Sequence, residues 1–470
     1  MATEILRPRI VVAGAGSGVG KTTVVVGLAR ALRDRGLTVA LFKCGPDYLD
    51  PTYHARASGS PSHNLDGWMM GRDTVLETFA RASEGADLCL IEGMMGLFDG
   101  ASAKGDEGST AEIAKWLDAP VVLIIDASGV ARTIAAIASG FQTFDRELRI
   151  AGVVCNRVGS RSHLDLLRQA LSDPPIIGAL PDEPSQAFAE RHLGLLTADE
   201  RAVPEKILHA WGKTTAEWFD LDAVLRIARG APPLCVREQS GGSRLTSDER
   251  CRIGIAYDEA FHFYYEDNLK RLERLGAKLV RFSPLRDRAL PDVNGLYFGG
   301  GYPEEHAQAL SLNTSLRTAI VEFAGAGGPV YAECGGLMYL ATAIRTLDGR
   351  SHAMVGLIPG ETVMCDHLQS LGYVEAETVE RSILGPPGLR FRGHQFRYSE
   401  LRLEREVDCI YSACDRPGSA AFSEGYRLGN VVASYIHAHW ASNPRIAEAL
   451  VESCGRWARE RTVKRSEKQQ

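Results

Sequence analysis

The sequence predicts an α/β protein of two successive domains, the first a doubly wound, mostly parallel sheet, and three observations predict it. Short apolar runs bounded by turns recur at residues 9–13, 38–43, 87–91, 120–126 and 150–156, as strands buried on both faces of a parallel sheet do. Helical stretches at 110–117 and 130–139 lie between such runs, and that alternation winds into a sheet whose ligands sit beyond the strands' carboxyl ends. Near residue 251 an α/β pattern starts again, with strand-like runs at 252–257, 278–282, 295–298 and 329–332.

Between the two patterns, residues 231–250 turn to Pro, Gly, Ser and charge, which predicts a linker joining a domain of residues 1–230 to one of 251–458. The polar, basic 459–470 reads as a frayed, disordered tail. A chain of 470 residues is long enough for two or three domains with real cores. Its formal net charge of −6 argues against nucleic acid as the main partner. No run of apolar residues is long enough to span a membrane, and residues 1–8 lack a signal core. Ten cysteines without Cys-x-x-Cys spacing suit a reducing cytoplasm and indicate neither a zinc ribbon nor a redox pair.

The first chemical centre lies at Gly14-Ala15-Gly16-Ser17-Gly18-Val19-Gly20-Lys21-Thr22-Thr23, between a strand-like run and a helical one with apolar Val24, Leu28 and Leu32. Small residues let the backbone fold tightly and aim its N–H groups at phosphate oxygens. Lys21 adds positive charge, Thr22 offers a hydroxyl to Mg²⁺, and the helix starting near Gly20 presents its positive end. The segment Gly16 to Thr23 is therefore expected to bind a nucleotide. The strict phosphate-loop pattern has glycine where this chain has Ala15.

The second centre is Val330-Tyr331-Ala332-Glu333-Cys334-Gly335-Gly336-Leu337, a strand, a sharp turn and a helix with cysteine at the turn. This is the layout of a nucleophile elbow, and a helix N-terminus favours the reactive thiolate. The N–H groups of Gly335 and Gly336 could stabilise an oxyanion, as could those of Gly300 and Gly301 in the Gly299-Gly300-Gly301 turn. About a hundred residues later an apolar run ends in His437-Ala438-His439. Alone these are two strand-edge histidines. Paired with the elbow, His437 becomes a base and His439 a candidate to orient it.

These centres, with 43–51 (Lys-Cys-Gly-Pro-Asp-Tyr-Leu-Asp-Pro), 63–66, 91–100 and 191–195, resemble the cobyrinic acid a,c-diamide synthase family over nearly the whole chain. The resemblance implies an N-terminal domain similar to dethiobiotin synthetase and a C-terminal domain like the class I glutamine amidotransferases. It implies that Cys334 attacks glutamine and releases ammonia, with His437 as base. Many class I glutaminases carry Glu where this chain has His439. The synthetase half would use ATP to turn a tetrapyrrole carboxylate into an acyl phosphate that ammonia displaces. Mg²⁺ would be held by Thr22, with Asp47 and Glu92 as carboxylate candidates. The acceptor would lie near Asp47, Tyr48, Leu49 and Asp50, and Asn156 near the adenine.

At 393–399, Gln395 and Arg397 stand where the family usually has Glu and His, which bears on acceptor recognition or on communication between domains. The aromatic run 261–265 could stack on a flat ring, but such runs are more often helix core. The acceptor is expected to be cobyrinic or hydrogenobyrinic acid, with nickel-sirohydrochlorin as an alternative. A nucleotide-switch ATPase with a degenerate glutaminase is the rival of another class. Against it stand the intact elbow and Gly16, where such ATPases place a lysine. The oligomeric state is left open, a homodimer included.

Overall fold

The computed structural model describes residues 2–182, 190–191, 194–195, 203–237, 249–415 and 419–467. The chain forms two compact units, Met1–Gly242 and Ser243–Gln470. In the first, β1 (Ala2–Ile5) precedes β2 (Arg9–Gly14), β3 (Val39–Cys44), β4 (His63–Leu65), β5 (Leu88–Glu92), β6 (Val121–Asp126), β7 (Ile150–Val158) and β8 (Ile176–Pro181). Strands β2 to β8 form a sheet in the order β4-β3-β5-β2-β6-β7-β8, every pairing parallel. The two flanking directions of winding part at β2, so its carboxyl end opens the crevice where ligands of such sheets bind. The helix Lys21–Asp34 packs the apolar positions named above against this sheet, with Val24, Leu28 and Leu32 fully buried.

The linker reading of 231–250 is corrected at its start. Beyond two two-residue strands, β9 (Glu190–Arg191) and β10 (Gly194–Leu195), comes β11 (Leu234–Arg237), which pairs antiparallel with β1. The fully buried Arg9 explains the docking, because its guanidinium donates to the Pro232 carbonyl at 2.8 Å and to Leu117 at 2.6 Å. Residues 238–248 of that stretch, and 192–193 of the motif at 191–195, lie outside the described residues.

The second unit contains β12 (Cys251–Ala256), β13 (Ala277–Phe282), β14 (Gly295–Phe298), β15 (Val330–Glu333), β16 (Ala341–Arg345), β17 (Ser351–Ala353) and β18 (Ile358–Met364). There follow β19 (Ser370–Thr378), β20 (Arg390–Arg397), β21 (Ser399–Leu403), β22 (Asp408–Cys414), β23 (Phe422–Leu428), β24 (Val431–Ser434) and β25 (His437–His439). Its main sheet runs β13-β12-β14-β15-β24-β23-β22-β19-β20-β25, parallel from β13 to β24 and antiparallel beyond. A smaller sheet has the order β17-β16-β18-β21.

Two further expectations are corrected. Residues 459–467 of the expected tail continue the helix Pro444–Glu467, and 468–470 lie outside the described residues; an earlier turn of that helix is anchored by Trp457 packing on Phe323, ring centroids 4.8 Å apart. The aromatic run 261–265 is not helix core. It is extended, bridges Gly300 through Phe263, and packs Phe261 against Tyr339 at 5.3 Å. Among the described residues no helix is long and apolar enough to cross a membrane.

Candidate active sites

Between β2 and the helix Lys21–Asp34 the chain makes a tight loop in which Gly18 (φ +73°) and Gly20 (φ +89°) take left-handed conformations. Ala15 is not in that region, so the departure from strict glycine there carries no backbone strain. The Lys21 ammonium curls into the loop, donating to the carbonyls of Gly16 at 3.0 Å and Met95 at 2.5 Å. Burial, then the nearby Lys43 charge, lowers its pKa.

Asn156, expected near the adenine, braces the loop: its amide donates to the Val19 carbonyl at 2.8 Å. A Cβ on Gly20 would sit 2.1 Å from that same amide nitrogen. Gly20→Ala therefore meets both a clash and a disfavoured φ, about 1–3 kcal/mol of strain, and is expected to weaken ATP binding about tenfold by calorimetry. Native affinity in that variant would contradict this account of the loop.

Thr22 donates its hydroxyl to Glu92 Oε1 at 2.8 Å. Glu92, at the end of β5, is fully buried and also receives Lys43 Nζ at 2.9 Å and His54 Nε2 at 2.6 Å. Burial opposes ionising this carboxyl, but Lys43 and His54 outweigh it and hold its pKa well below the usual range. Glu92, the carboxylate expected at the metal, accepts protein donors on both oxygens, one of them an ammonium. Its carboxylate orients Thr22, leaving the hydroxyl's lone pairs for a cation. Among the described residues no group of three His, Cys, Asp or Glu could hold a metal ion. Thr22 thus fits Mg²⁺ only as one ligand beside the nucleotide's own oxygens.

Lys43 is the residue that sequence reasoning passed over. It is buried between Glu92 and the carboxylate of Asp50, which it contacts directly, and these charges raise its pKa well above normal despite desolvation. A lysine inside an otherwise apolar strand was the available signal. Asp50 and Tyr48, expected at the acceptor, are buried, Asp50 as the Lys43 counter-ion. Asp47 Oδ1 accepts the amides of Leu49 at 2.8 Å and Asp50 at 3.0 Å, so it opens the helix Asp50–Ser58. Asp47 and Leu49 keep partial exposure facing the solvent side of this turn.

In the second unit Cys334 lies between β15 and the helix Gly335–Leu340 with φ +46° and ψ −103°, a strained conformation for a residue with a side chain. The elbow is held by the Cys334 amide donating to the Ser434 carbonyl at 2.7 Å. It needs its glycines. A Cβ on Gly336 would lie 2.4 Å from the Phe298 carbonyl oxygen, and one on Gly335 would lie 3.0 Å from the Gly301 nitrogen. Burial pushes the thiol up to about 12 and Glu304 adds to this, outweighing the Gly335 amide and the Arg397 guanidinium.

Of the oxyanion candidates, Gly300 is corrected, since its amide donates to the Phe263 carbonyl at 3.3 Å. Gly301 (φ +153°) and Gly335 lie side by side at the elbow.

β15 and β24 are parallel, with Glu333 opposite Ser434, so the chain reaches His437 three residues beyond the elbow's level. A Cβ on Gly300 would fall 2.4 Å from His437 Cε1, which puts the ring against the Gly299-Gly300-Gly301 turn. Burial lowers His437 to about 3 and His439 to about 4. His439 packs on Tyr265, centroids 4.5 Å apart. The ring stacked on His437 is His394, from the motif at 393–399.

Glu333, quoted only as part of the elbow, anchors this strand. It accepts from Tyr297 at 2.9 Å, Tyr331 at 2.8 Å and the Ala438 amide at 3.1 Å. Burial raises its carboxyl to about 7 against the pull of those donors. A pKa raised by folding gives stability that is full below the unfolded value and lost as pH climbs through the folded one. Between about pH 5 and about pH 8 the native protein should therefore lose urea stability relative to Glu333→Gln. Parallel stability curves for the two proteins would contradict the assignment.

Residues 10–194 match the model of the CobQ/CobB/MinD/ParA nucleotide binding domain, and residues 252–445 match that of the CobB/CobQ-like glutamine amidotransferase domain. The chain is 51% identical over 449 residues to the cobyrinate a,c-diamide synthase of Leptospira interrogans, covering 95% of this chain and 98% of that one. The protein of the same name from Syntrophotalea carbinolica is 46% identical over 454 residues, with 95% and 98% covered. That from Priestia megaterium is 40% identical over 457 residues, with 96% and 98% covered.

Proposed function

From the premise that this chain belongs to the cobyrinate a,c-diamide synthase family, we propose that it converts the a and c carboxylates of cobyrinate to amides, using ATP and glutamine. It is a glutamine-dependent amide ligase of cobalamin biosynthesis. The observation that carries this reading is the strained Cys334 elbow, tied by its amide to the strand that leads into His437.

With the thiol near 12 and His437 near 3, both groups are neutral in the resting enzyme. His437 therefore acts as a general base during attack: it takes the thiol proton as the Cys334 sulfur bonds to the side-chain amide carbon of glutamine. The amides of Gly301 and Gly335 support the developing oxyanion. The proton passes to the departing nitrogen, ammonia leaves, and water hydrolyses the thioester to glutamate.

In the other unit the phosphate-loop amides and Lys21 hold the ATP phosphates, and Lys21 offsets charge as the γ-phosphoryl passes to an acceptor carboxylate. Magnesium, bound through Thr22, would neutralise phosphate charge. Ammonia then attacks the acyl carbon and phosphate leaves, so each amide costs one ATP and one glutamine. Lys43, kept charged by Asp50 and Glu92, holds Glu92 ionised and so keeps the Thr22 hydroxyl aimed.

The test offers purified enzyme cobyrinate or nickel-sirohydrochlorin separately, with ATP, Mg²⁺ and glutamine, and reads product mass. A doubly amidated cobyrinate is expected. Amidation of the nickel ring alone would overturn the acceptor assignment, and no product from either would overturn the reaction.

A further inference from the structure

We propose that His394, held by the Tyr265 hydroxyl, is the positioning residue for His437, doing by ring stacking what a carboxylate on the base does in related chemistry. The inference rests on the reading of Cys334 and His437 as a glutaminase pair.

β20 and β25 run antiparallel with His394 directly opposite His437 and Gly393 opposite Ala438. Directly opposed residues share a face and touch. Here the imidazoles lie 4.9 Å apart between centroids and only 15° from parallel. Gly393 permits the approach, because a Cβ there would stand 2.2 Å from the His437 carbonyl oxygen. His437 is thus confined by the Gly300 backbone near its Cε1 and by a flat ring stacked on its face. That slot restricts rotation about its side-chain bonds, and the orientation of a catalytic base is worth large rate factors.

The stacking ring is itself fixed. Tyr265 Oη lies 2.8 Å from His394 Nδ1, and Tyr265 is buried against His439. The same segment grips β25 through Asn268, whose side chain donates to the Ala438 carbonyl at 2.8 Å and accepts the Trp440 amide at 2.9 Å. Burial, then the neighbouring histidines, keeps His394 neutral, so it does not repel His437 when that ring takes the thiol proton. The motif at 393–399, whose departures at Gln395 and Arg397 bear on acceptor recognition or on communication between domains, serves the nitrogen-releasing centre through His394.

The experiment compares full-length His394→Ala, His394→Phe and Tyr265→Phe with the native enzyme for glutamate release, ammonia-driven amidation and thermal midpoint. His394→Ala should lower kcat for glutamine about thirtyfold with KM nearly unchanged and ammonia-driven amidation intact. His394→Phe, which keeps a flat ring, should recover to within about fivefold of native. Native kcat in His394→Ala, equal loss with ammonia, or no recovery in His394→Phe would each overturn the proposal. If His394→Ala does not fold, Tyr265→Phe carries the test, with a loss of about threefold or more in kcat expected and an unchanged kcat overturning it. A Cys334→Ser control separates the two claims, since glutamine hydrolysis surviving there would overturn the glutaminase reading itself.

Discussion

Cys334→Ser is expected to abolish amidation driven by glutamine while leaving amidation driven by ammonium salts near the native rate. The serine hydroxyl is a far weaker nucleophile than sulfur and far harder to deprotonate, so the imidazole that takes the thiol proton does not generate an effective attacking oxygen from it. The expected loss with glutamine is about a thousandfold or more in kcat. The elbow should survive the change. Its strain sits in the backbone at φ +46°, and its supports are the Ser434 carbonyl and the close contacts of Gly335 and Gly336, none of which involves sulfur. Product formation measured with each nitrogen source decides the matter, and equal loss with both would contradict the division of labour between the two units.

Lys21→Ala should give the mirror image. Amidation should fall about a hundredfold or more with either nitrogen source, because the charge that balances the phosphoryl group in flight is gone. Glutamate release measured without acceptor should persist, since no residue of the Cys334 centre is altered. The deleted side chain donates to two loop carbonyls, Gly16 and Met95, so a modest fall in thermal midpoint should accompany the loss. Amidation at the native rate would remove the phosphate loop from the mechanism.

What could be read beforehand, and what could not, follows from how local each feature is. The phosphate loop and the elbow are contiguous strand-turn-helix segments whose chemistry is written in neighbouring residues, and both stand where expected. Glu92 was legible as a strand-end carboxylate but its role was not, because Lys43 and His54 reach it from other elements. The bond from Asn156 to the Val19 carbonyl was likewise not legible, because it joins residues far apart in the chain. His394 was quoted for its motif, while its place opposite His437 depends on an antiparallel pairing of strands some forty residues apart. The early end of the linker depended on a single buried arginine bonding across more than two hundred residues. The short β4 lacked the length for periodicity to speak.

The central claim is that ATP primes a carboxylate of the acceptor before nitrogen arrives. Acceptor carrying heavy oxygen in its carboxylates tests it most directly, with the released inorganic phosphate read by mass. An acyl phosphate hands one carboxylate oxygen to phosphate for every amide made, so label should appear there in step with product. Phosphate free of label, with amide still formed, would contradict the account.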